Sequence, residues 1–395
     1  MLVFVFLSLV GLLLSLPSVI PAPTMSLLPL GVGAPEVSPW LFVLNATALI
    51  ALSVFPRHPS WLHSLALVSS LVGLLLSVLP MIQLPAANAQ IEAEMQTILG
   101  ADYQTQIPPS LRAQMRSRPF VLVDAFRGIT PKEVHIERDI PFANPDGHQL
   151  RLNLYRPLAI GKYPALVVIY GGAWQRGTPN NDEICNRYFA AQGYTVLAID
   201  YRHAPQYPFP AQLEDVQRAL TFIQNHGSRL RVDPERMAVM GRSAGGHLAS
   251  LAAYQNSVPL KAVINYYGPS NLAEEYDNPP HPDPIDTRAV LRSFLGGTPE
   301  DEPVLYQTAS PATYVKANLP PSLLVYAGRD HLVQAKFGRK LYHQLRSEGN
   351  LAIWLEIPWA EHAFDAVFNG VGNQLTLYYV ERFLAWALTN SNRYP

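Results

Sequence analysis

Gly241-Arg242-Ser243-Ala244-Gly245-Gly246 follows the apolar run 237–240 and opens a stretch, 245–254, with helical character. G-x-S-x-G between a strand and a helix describes a tight turn that lifts a serine hydroxyl above a sheet edge. Glycine suits positions 241 and 245 because a side chain at either place would block the approach of the neighbouring backbone. Ser243 is therefore the candidate nucleophile. A serine hydroxyl attacks only when a base takes its proton, so a histidine and an orienting acid are expected at the ends of later strands. His362, in Trp359-Ala360-Glu361-His362-Ala363-Phe364, follows the run 351–357 and is the candidate base. Asp330, in Gly328-Arg329-Asp330-His331, follows the run 323–327 and is the candidate acid. Nucleophile, acid and base thus come in the chain order that such turns use. His331 is a rival base, but it adjoins the proposed acid and is poorly placed to bridge acid and serine. Glu361 and Asp365 are rival acids that lack the post-strand position.

Acyl transfer through a serine also needs N–H donors aimed at the developing oxyanion. Tyr170-Gly171-Gly172-Ala173-Trp174 follows the apolar run 165–169, and its glycines let backbone amides face a substrate. The expected donors are the amides of Gly172 and Ala173, with that of Ala244 after the nucleophile. Trp174 is a candidate lining residue of the acyl pocket, or loop packing.

Outward from these motifs the same pattern repeats. Residues 134–142 and 150–155 read as strands joined at Asp146-Gly147, an antiparallel hairpin. Short apolar runs follow at 165–170, 195–199, 237–240, 262–266, 323–327 and 351–355, with helical stretches at 210–224, 245–254, 335–348 and 374–387. Continuous apolar strands alternating with helices predict a mostly parallel, doubly wound α/β sheet covered on both faces. Ligands of such sheets bind beyond the carboxy ends of the strands, where Ser243, Asp330 and His362 all fall. Asp200-Tyr201-Arg202 reads as a structural network at a strand end, with Asp215 as the partner of Arg202. Residues 268–318, rich in Pro and Asp, form an insertion between two strands. It is expected to make a short cap over a fairly open pocket suited to small acyl groups.

Composition divides the chain. Half of the residues, 49%, are hydrophobic and 15% are charged, against about a quarter charged in a typical globular domain. Residues 1–85 hold two charged side chains, Glu36 and Arg57. Three apolar runs lie there, at 2–20, 40–55 and 61–84, against the roughly 20 residues that a bilayer span needs. Trp40 and Trp61 mark run ends, where indole rings favour the interface. The organisation expected is a membrane region of about three transmembrane helices at 1–85, an amphipathic connector at 86–132 and a catalytic domain at 133–395. A cleaved signal peptide is the alternative for the first run, although that run lacks the Lys or Arg usual before the apolar stretch. Arg57, between the second and third runs, puts their connection in the cytoplasm and the carboxy-terminal domain outside it. The connector carries Ile91, Met95, Ile98 and Leu99 at helical spacing, then Arg112, Arg116 and Arg118. Net charge is −1 with no block of like charge, which argues against nucleic acid as a partner. The single cysteine, Cys185, excludes an intramolecular disulfide and reads as inert packing. The histidines lack ligand spacing, so no metal is expected.

These motifs together resemble the α/β-hydrolase superfamily, and within it the hormone-sensitive-lipase-like bacterial carboxylesterases and their feruloyl- and acetyl-xylan-esterase relatives. The matching stretches are 170–177, 200–205, 209–215, 232–236, 241–249, 309–311 and 328–330; residues 1–85 lie outside the likeness. The resemblance implies ester hydrolysis through an acyl-enzyme, with no metal or organic cofactor, on a small-molecule or lipid ester. Two departures stand out. The oxyanion loop of the family usually begins with histidine and here begins with Tyr170. Arg242 stands where the family often has an acidic residue, which suggests a basic group near the pocket mouth. Other readings within the fold are a methylesterase directed at lipid-borne substrates, an aryl formamidase or a peptidase. Outside it, a non-catalytic binding protein would be expected to have lost part of the Ser243, Asp330, His362 and oxyanion-loop set. A channel would be expected to carry charged residues in its spans.

Overall fold

The computed structural model describes residues 2–54, 60–255 and 258–389. Its centre is an eight-stranded sheet of β1 (His135–Ala143), β2 (Leu150–Arg156), β3 (Tyr163–Ile169), β4 (Thr195–Ile199), β5 (Val232–Arg242), β6 (Ala262–Tyr266), β7 (Ser322–Ala327) and β8 (Ala352–Ile357). The order is β1-β2-β4-β3-β5-β6-β7-β8. β1 and β2 form the antiparallel hairpin expected around Asp146-Gly147, and β2 pairs antiparallel with β4. All other pairings are parallel. β4, β6 and β7 are buried at every residue, as strands covered on both faces must be. The covering helices include Ala211–Asn225, Ala244–Gln255, Ala335–Ser347 and Val371–Thr389.

The strand order positions the site. From β3 the chain moves outward to β4, then crosses back to place β5 on the other side of β3. The connections leaving β3 and β5 therefore diverge, and a crevice opens beyond the carboxy ends of these two strands. Beside it, Arg202 closes the end of β4. Its guanidinium is buried and bonds both carboxylate oxygens of the fully buried Asp215, at 2.8 and 3.0 Å, and Asp146 at 2.5 Å. Asp215 also accepts from the Arg202 amide at 3.0 Å. The expected ion pair is thus the pin that fixes the chain after β4.

The amino-terminal region folds as four helices: α1 (Leu2–Ser15), α2 (Leu28–Glu36), α3 (Ser38–Val54) and α4 (Trp61–Leu99). α1, α3 and α4 pack as a bundle with small and polar residues inside. Asn45 of α3 lies between Gly11 and Gly73, where a methyl group on either glycine would overlap its side chain. Its Nδ2 donates to Ser15 Oγ at 3.1 Å and to Leu41 O at 2.8 Å. The outside is apolar: Phe6, Leu13, Ile50, Trp61, Val68 and Leu75 are all exposed.

The expectation of three transmembrane helices needs correction. Among the described residues one helix, α4, is long and apolar enough to cross a membrane by itself. α2 and α3 pass only as a pair, bent by 80° at their junction, and α1 is shorter. The 14 residues of α1 reach about 21 Å, less than the roughly 30 Å of a bilayer core. Its run stops because Pro17 sits in a 3₁₀ turn, Leu16–Ser18. α4 shows the opposite: Pro80 and Pro85 do not end it, and it continues for 39 residues. Proline's fixed φ is compatible with a helix, so each ring removes one donor and crowds the preceding turn without ending the helix. The stretch expected as a separate amphipathic connector begins as the end of this helix, where Ala87, Ile91, Met95 and Leu99 join the core of the sheet domain. Arg57 lies outside the described residues.

Without Asp215 the buried Arg202 keeps only the exposed carboxylates of Asp146 and Glu214 and loses its buried partner. Asp215→Ala is therefore expected to cost about 3–5 kcal/mol, read as a lowered denaturation midpoint in thermal or chemical melts.

Candidate active site

β5 ends at Arg242 and the next helix starts at Ala244, so Ser243 alone makes the turn, at φ +52°. This left-handed backbone is held by two hydrogen bonds: Ser243 N–H donates to Tyr266 O at 2.9 Å, and His247 N–H donates to Ser243 O at 3.0 Å. The glycines do what the sequence requires of them. A Cβ on Gly241 would overlap the Gly245 carbonyl, and one on Gly245 would overlap the carbonyls of Ile169 and Tyr170.

The three residues singled out in the sequence come together. His362 Nε2 lies 3.0 Å from Ser243 Oγ, and His362 Nδ1 lies 2.7 Å from Asp330 Oδ2. The other oxygen of Asp330 accepts the amides of Leu332 and Val333, at 2.8 and 2.7 Å. A carboxylate so placed accepts a hydrogen bond from Nδ1–H, which leaves Nε2 of the neutral ring as an acceptor facing the hydroxyl. Burial disfavours the imidazolium, but the charge and hydrogen bond of Asp330, with Glu361 and Asp365 behind it, outweigh burial and raise the pKa of His362.

The rivals are engaged elsewhere. Glu361 accepts the amides of His331 and His362, at 2.7 and 3.0 Å, and its second oxygen is 2.6 Å from His331 Nδ1. Asp365 accepts from Tyr267 and is ion-paired to Arg242. This pair corrects the expectation for Arg242. The guanidinium does border the cavity, but as a neutralised partner rather than a free charge. It is buried, paired with Asp365, 3.5 Å from Asp182, stacked 5.1 Å from the Tyr266 ring and 3.1 Å from Cys185 Sγ. Burial, only partly offset by Arg242, pushes the Cys185 thiol up to about 11.

The loop after β3 lies against the serine turn. A Cβ on Gly171 would meet Arg242 O and Ser243 Cβ, and Gly172 and Ala173 have positive φ, +142° and +55°. The amides of Gly172, Ala173 and Ala244 donate to no acceptor among the described residues and border the same cavity as Ser243 and His362. Tyr170, in the place of the family's histidine, holds the loop from behind. Its hydroxyl is 2.6 Å from Asp200 and 2.9 Å from His203 Nε2, and its ring stacks on Tyr201 at 4.5 Å and abuts Gly177. Trp174 borders the cavity but is 3% exposed, stacked at 4.2 Å on Phe294, with its Nε1–H donating to His247 Nδ1 at 3.2 Å. His247 in turn donates from Nε2 to Ala309 O at 2.6 Å, and burial lowers its pKa to about 4. This Trp174–His247 tie carried no signal in the sequence beyond an apolar helix containing one histidine.

The cavity has a volume of about 300 Å3. The insertion contributes Ile285, Val290 and Leu291, and the amino-terminal region adds Met25 and Leu28. No sequence signal linked residues 25 and 28 to the serine.

A parallel sheet with a nucleophile turn after β5, an acid after β7 and a histidine after β8 is the α/β-hydrolase fold. Residues 152–345 match the BD-FAE family model. The chain is 32% identical over 241 residues to the probable carboxylic ester hydrolase LipM of Mycobacterium tuberculosis, covering 57% of this chain and 54% of that one. Esterase LipC of the same organism is 31% identical over 240 residues, covering 56% of this chain and 58% of its own length. The chain thus spans little more than half the length of these relatives. Among solved structures, an esterase of Pyrobaculum calidifontis is similar with a TM-score of 0.56 at 25% identity, over 71% of this chain and 98% of that one. A bacterial heroin esterase shares the fold with a TM-score of 0.58 at 21% identity, over 72% and 98% of the two chains. The carboxy-terminal domain therefore has the α/β-hydrolase fold and resembles bacterial carboxylesterases.

Gly245→Ala must push the serine turn away from the β3 carbonyls. The expected cost is about 1–3 kcal/mol of overpacking, seen as a lower melting temperature, whereas Gly33→Ala, with nothing near its Cβ position, serves as the neutral control.

Proposed function

We propose that the protein is a membrane-anchored serine hydrolase that cleaves carboxylic esters through an acyl-enzyme. The observation that carries this reading is the line Ser243 Oγ, His362 Nε2, His362 Nδ1, Asp330, with contacts of 3.0 and 2.7 Å, at the edge of an apolar cavity. Relatives named as esterases support the reaction class.

Ser243 Oγ attacks the ester carbonyl as its proton passes to His362 Nε2. Negative charge builds on the carbonyl oxygen, where the amides of Gly172, Ala173 and Ala244 are free to receive it. Each such donor is worth about 3–4 kcal/mol in the transition state. Asp330 holds the ring in the tautomer that can accept and stabilises the imidazolium formed. His362 then gives the proton to the departing alkoxide, leaving an acyl group on Ser243. Water attacks this acyl group while His362 takes its proton, and collapse of the second tetrahedral species returns the proton to Ser243 and frees the acid.

The anchor in this reading is α4. Arg57, just before it, favours the cytoplasmic side for its start, which puts its far end and the hydrolase domain outside the cytoplasm. The inverted packing of the bundle, polar and small within and apolar without, supports a lipid environment.

Hydrolysis of p-nitrophenyl acetate by the full chain in detergent tests the mechanism. Ser243→Ala is expected to lower kcat by about 10⁴-fold or more; a variant as active as the parent removes the serine from the mechanism. The pH profile has a definite sign. Protonated His362 cannot accept, and its pKa is raised above 6.5, so kcat/KM is expected to rise with pH through a midpoint above that value. Asp330→Asn is expected to lower both the midpoint and the rate.

A further inference from the structure

Residues 21–36 do two things at once. On one side they close the cavity at Ser243. Met25 and Leu28 border it, and Ala22, Leu28 and Val32 form an apolar cluster with Leu332, two residues beyond Asp330, and with Ile285 of the insertion. On the other side Leu27 and Leu30 are exposed, at 44% and 45%. The segment is fastened at its end. Glu36 is buried, and its carboxylate accepts the amides of Gly372 and Asn373, at 2.8 and 3.2 Å, at the start of the helix Val371–Thr389. Gly370 and Gly372 leave the room for it.

The direction of α2 gives this roof its meaning. α2 is bent 80° from α3, so it runs across the bundle rather than along it. A helix lying across the end of a membrane bundle, with leucines on its outer side, occupies the plane of the interface. Further exposed apolar residues precede the segment in the chain or belong to a helix packed on α3. Val19 and Ile20 lie just before the segment. Leu122 and Val123 belong to a short helix whose Phe126 packs edge-on at 4.8 Å against Trp40, and Trp40 Nε1–H donates to Ala125 O at 3.2 Å. The cavity wall is therefore a single layer of chain, with the acyl site beneath it and apolar surface above it.

The geometry points to an acyl ester resident in the bilayer as the substrate class, its chain lodged between Met25 and Leu28 of the amino-terminal segment and Ile285 and Leu291 of the insertion. This inference rests on the serine-esterase reading. The membrane region is then part of the substrate site and not only an anchor. Selectivity for long chains is set by residues that lie more than two hundred positions before the nucleophile. The cavity volume, about 300 Å3, suits one aliphatic chain, at the small end of ligand clefts of about 300–1,000 Å3.

The test uses the full chain reconstituted in vesicles of ether-linked phospholipid, which it cannot hydrolyse. The probes are p-nitrophenyl acetate, p-nitrophenyl laurate and 4-methylumbelliferyl palmitate dissolved in the same vesicles. The wild-type protein is expected to turn over the laurate and palmitate esters, with a laurate-to-acetate ratio of kcat/KM of at least ten. Leu28→Trp, which fills the wall, is expected to lower that ratio at least tenfold, and Leu28→Ala, which widens it, to shift the preference toward the palmitate ester. Circular dichroism reports that each protein is folded, and labelling by a fluorophosphonate reports that Ser243 is reactive. Acetate turnover and labelling with no hydrolysis of the palmitate ester, or with a laurate-to-acetate ratio that neither variant moves, overturns the inference and leaves the esterase reading intact. Absence of both acetate turnover and labelling in the folded wild-type protein overturns the esterase reading itself.

Discussion

The structure depends on how closely two backbones pass each other at Ser243. The serine turn occupies a left-handed conformation that only neighbouring structure can hold, and Gly245 lies against the carbonyls that end β3. That approach sets the register of the Gly172–Ala173 loop against the nucleophile, because the loop is the direct continuation of β3. It also fixes the start of the helix Ala244–Gln255, whose first amide is one of the three free donors. β3 and β5 are neighbours because the chain crosses back over β3, so the topology that opens the crevice also brings donors and nucleophile together.

Around this contact the charged residues are mostly spent on structure. Arg202, read from the sequence as structural, and Arg242, read as a basic group near the pocket, are both buried and paired with carboxylates. Arg242 and its partners Asp182 and Asp365 border the cavity as a neutralised group, beside apolar residues such as Leu28, Val290 and Leu291. Glu361 has a related role: by accepting both His331 and the amide of His362, it holds the rival histidine off the reaction line.

Much of the hydrolase domain was legible because its signals are local. A fully apolar run of five residues reads as a buried parallel strand, and a glycine-flanked serine between strand and helix reads as a turn. Ser243, Asp330 and His362 could be named because each follows such a run. What could not be read depends on partners distant in the chain. The carboxylate of Asp365 is 123 positions from Arg242, so its charge looked unpaired. The bend between α2 and α3 reflects packing against the domain, and an apolar run reads the same whether it crosses a bilayer or folds over a cavity. Pro17 and Pro80 made the same point in opposite directions: one closes a short helix and the other lies inside a long one. Glu36 read as one of two charges in a membrane region, whereas in the fold it caps a helix of the other domain.

The continuity of α4 has a mechanical consequence. Its 39 residues make a rod of about 58 Å, apolar in its first part and embedded in the core of the sheet domain in its last, where Asn88 and Glu94 are bonded to Tyr379 and Tyr342. A hydrolase joined to its anchor by a flexible tether would sample many heights and tilts. Here α4 and the sheet domain share one helix, so the crevice keeps a fixed attitude to the carboxy-terminal turns of α4.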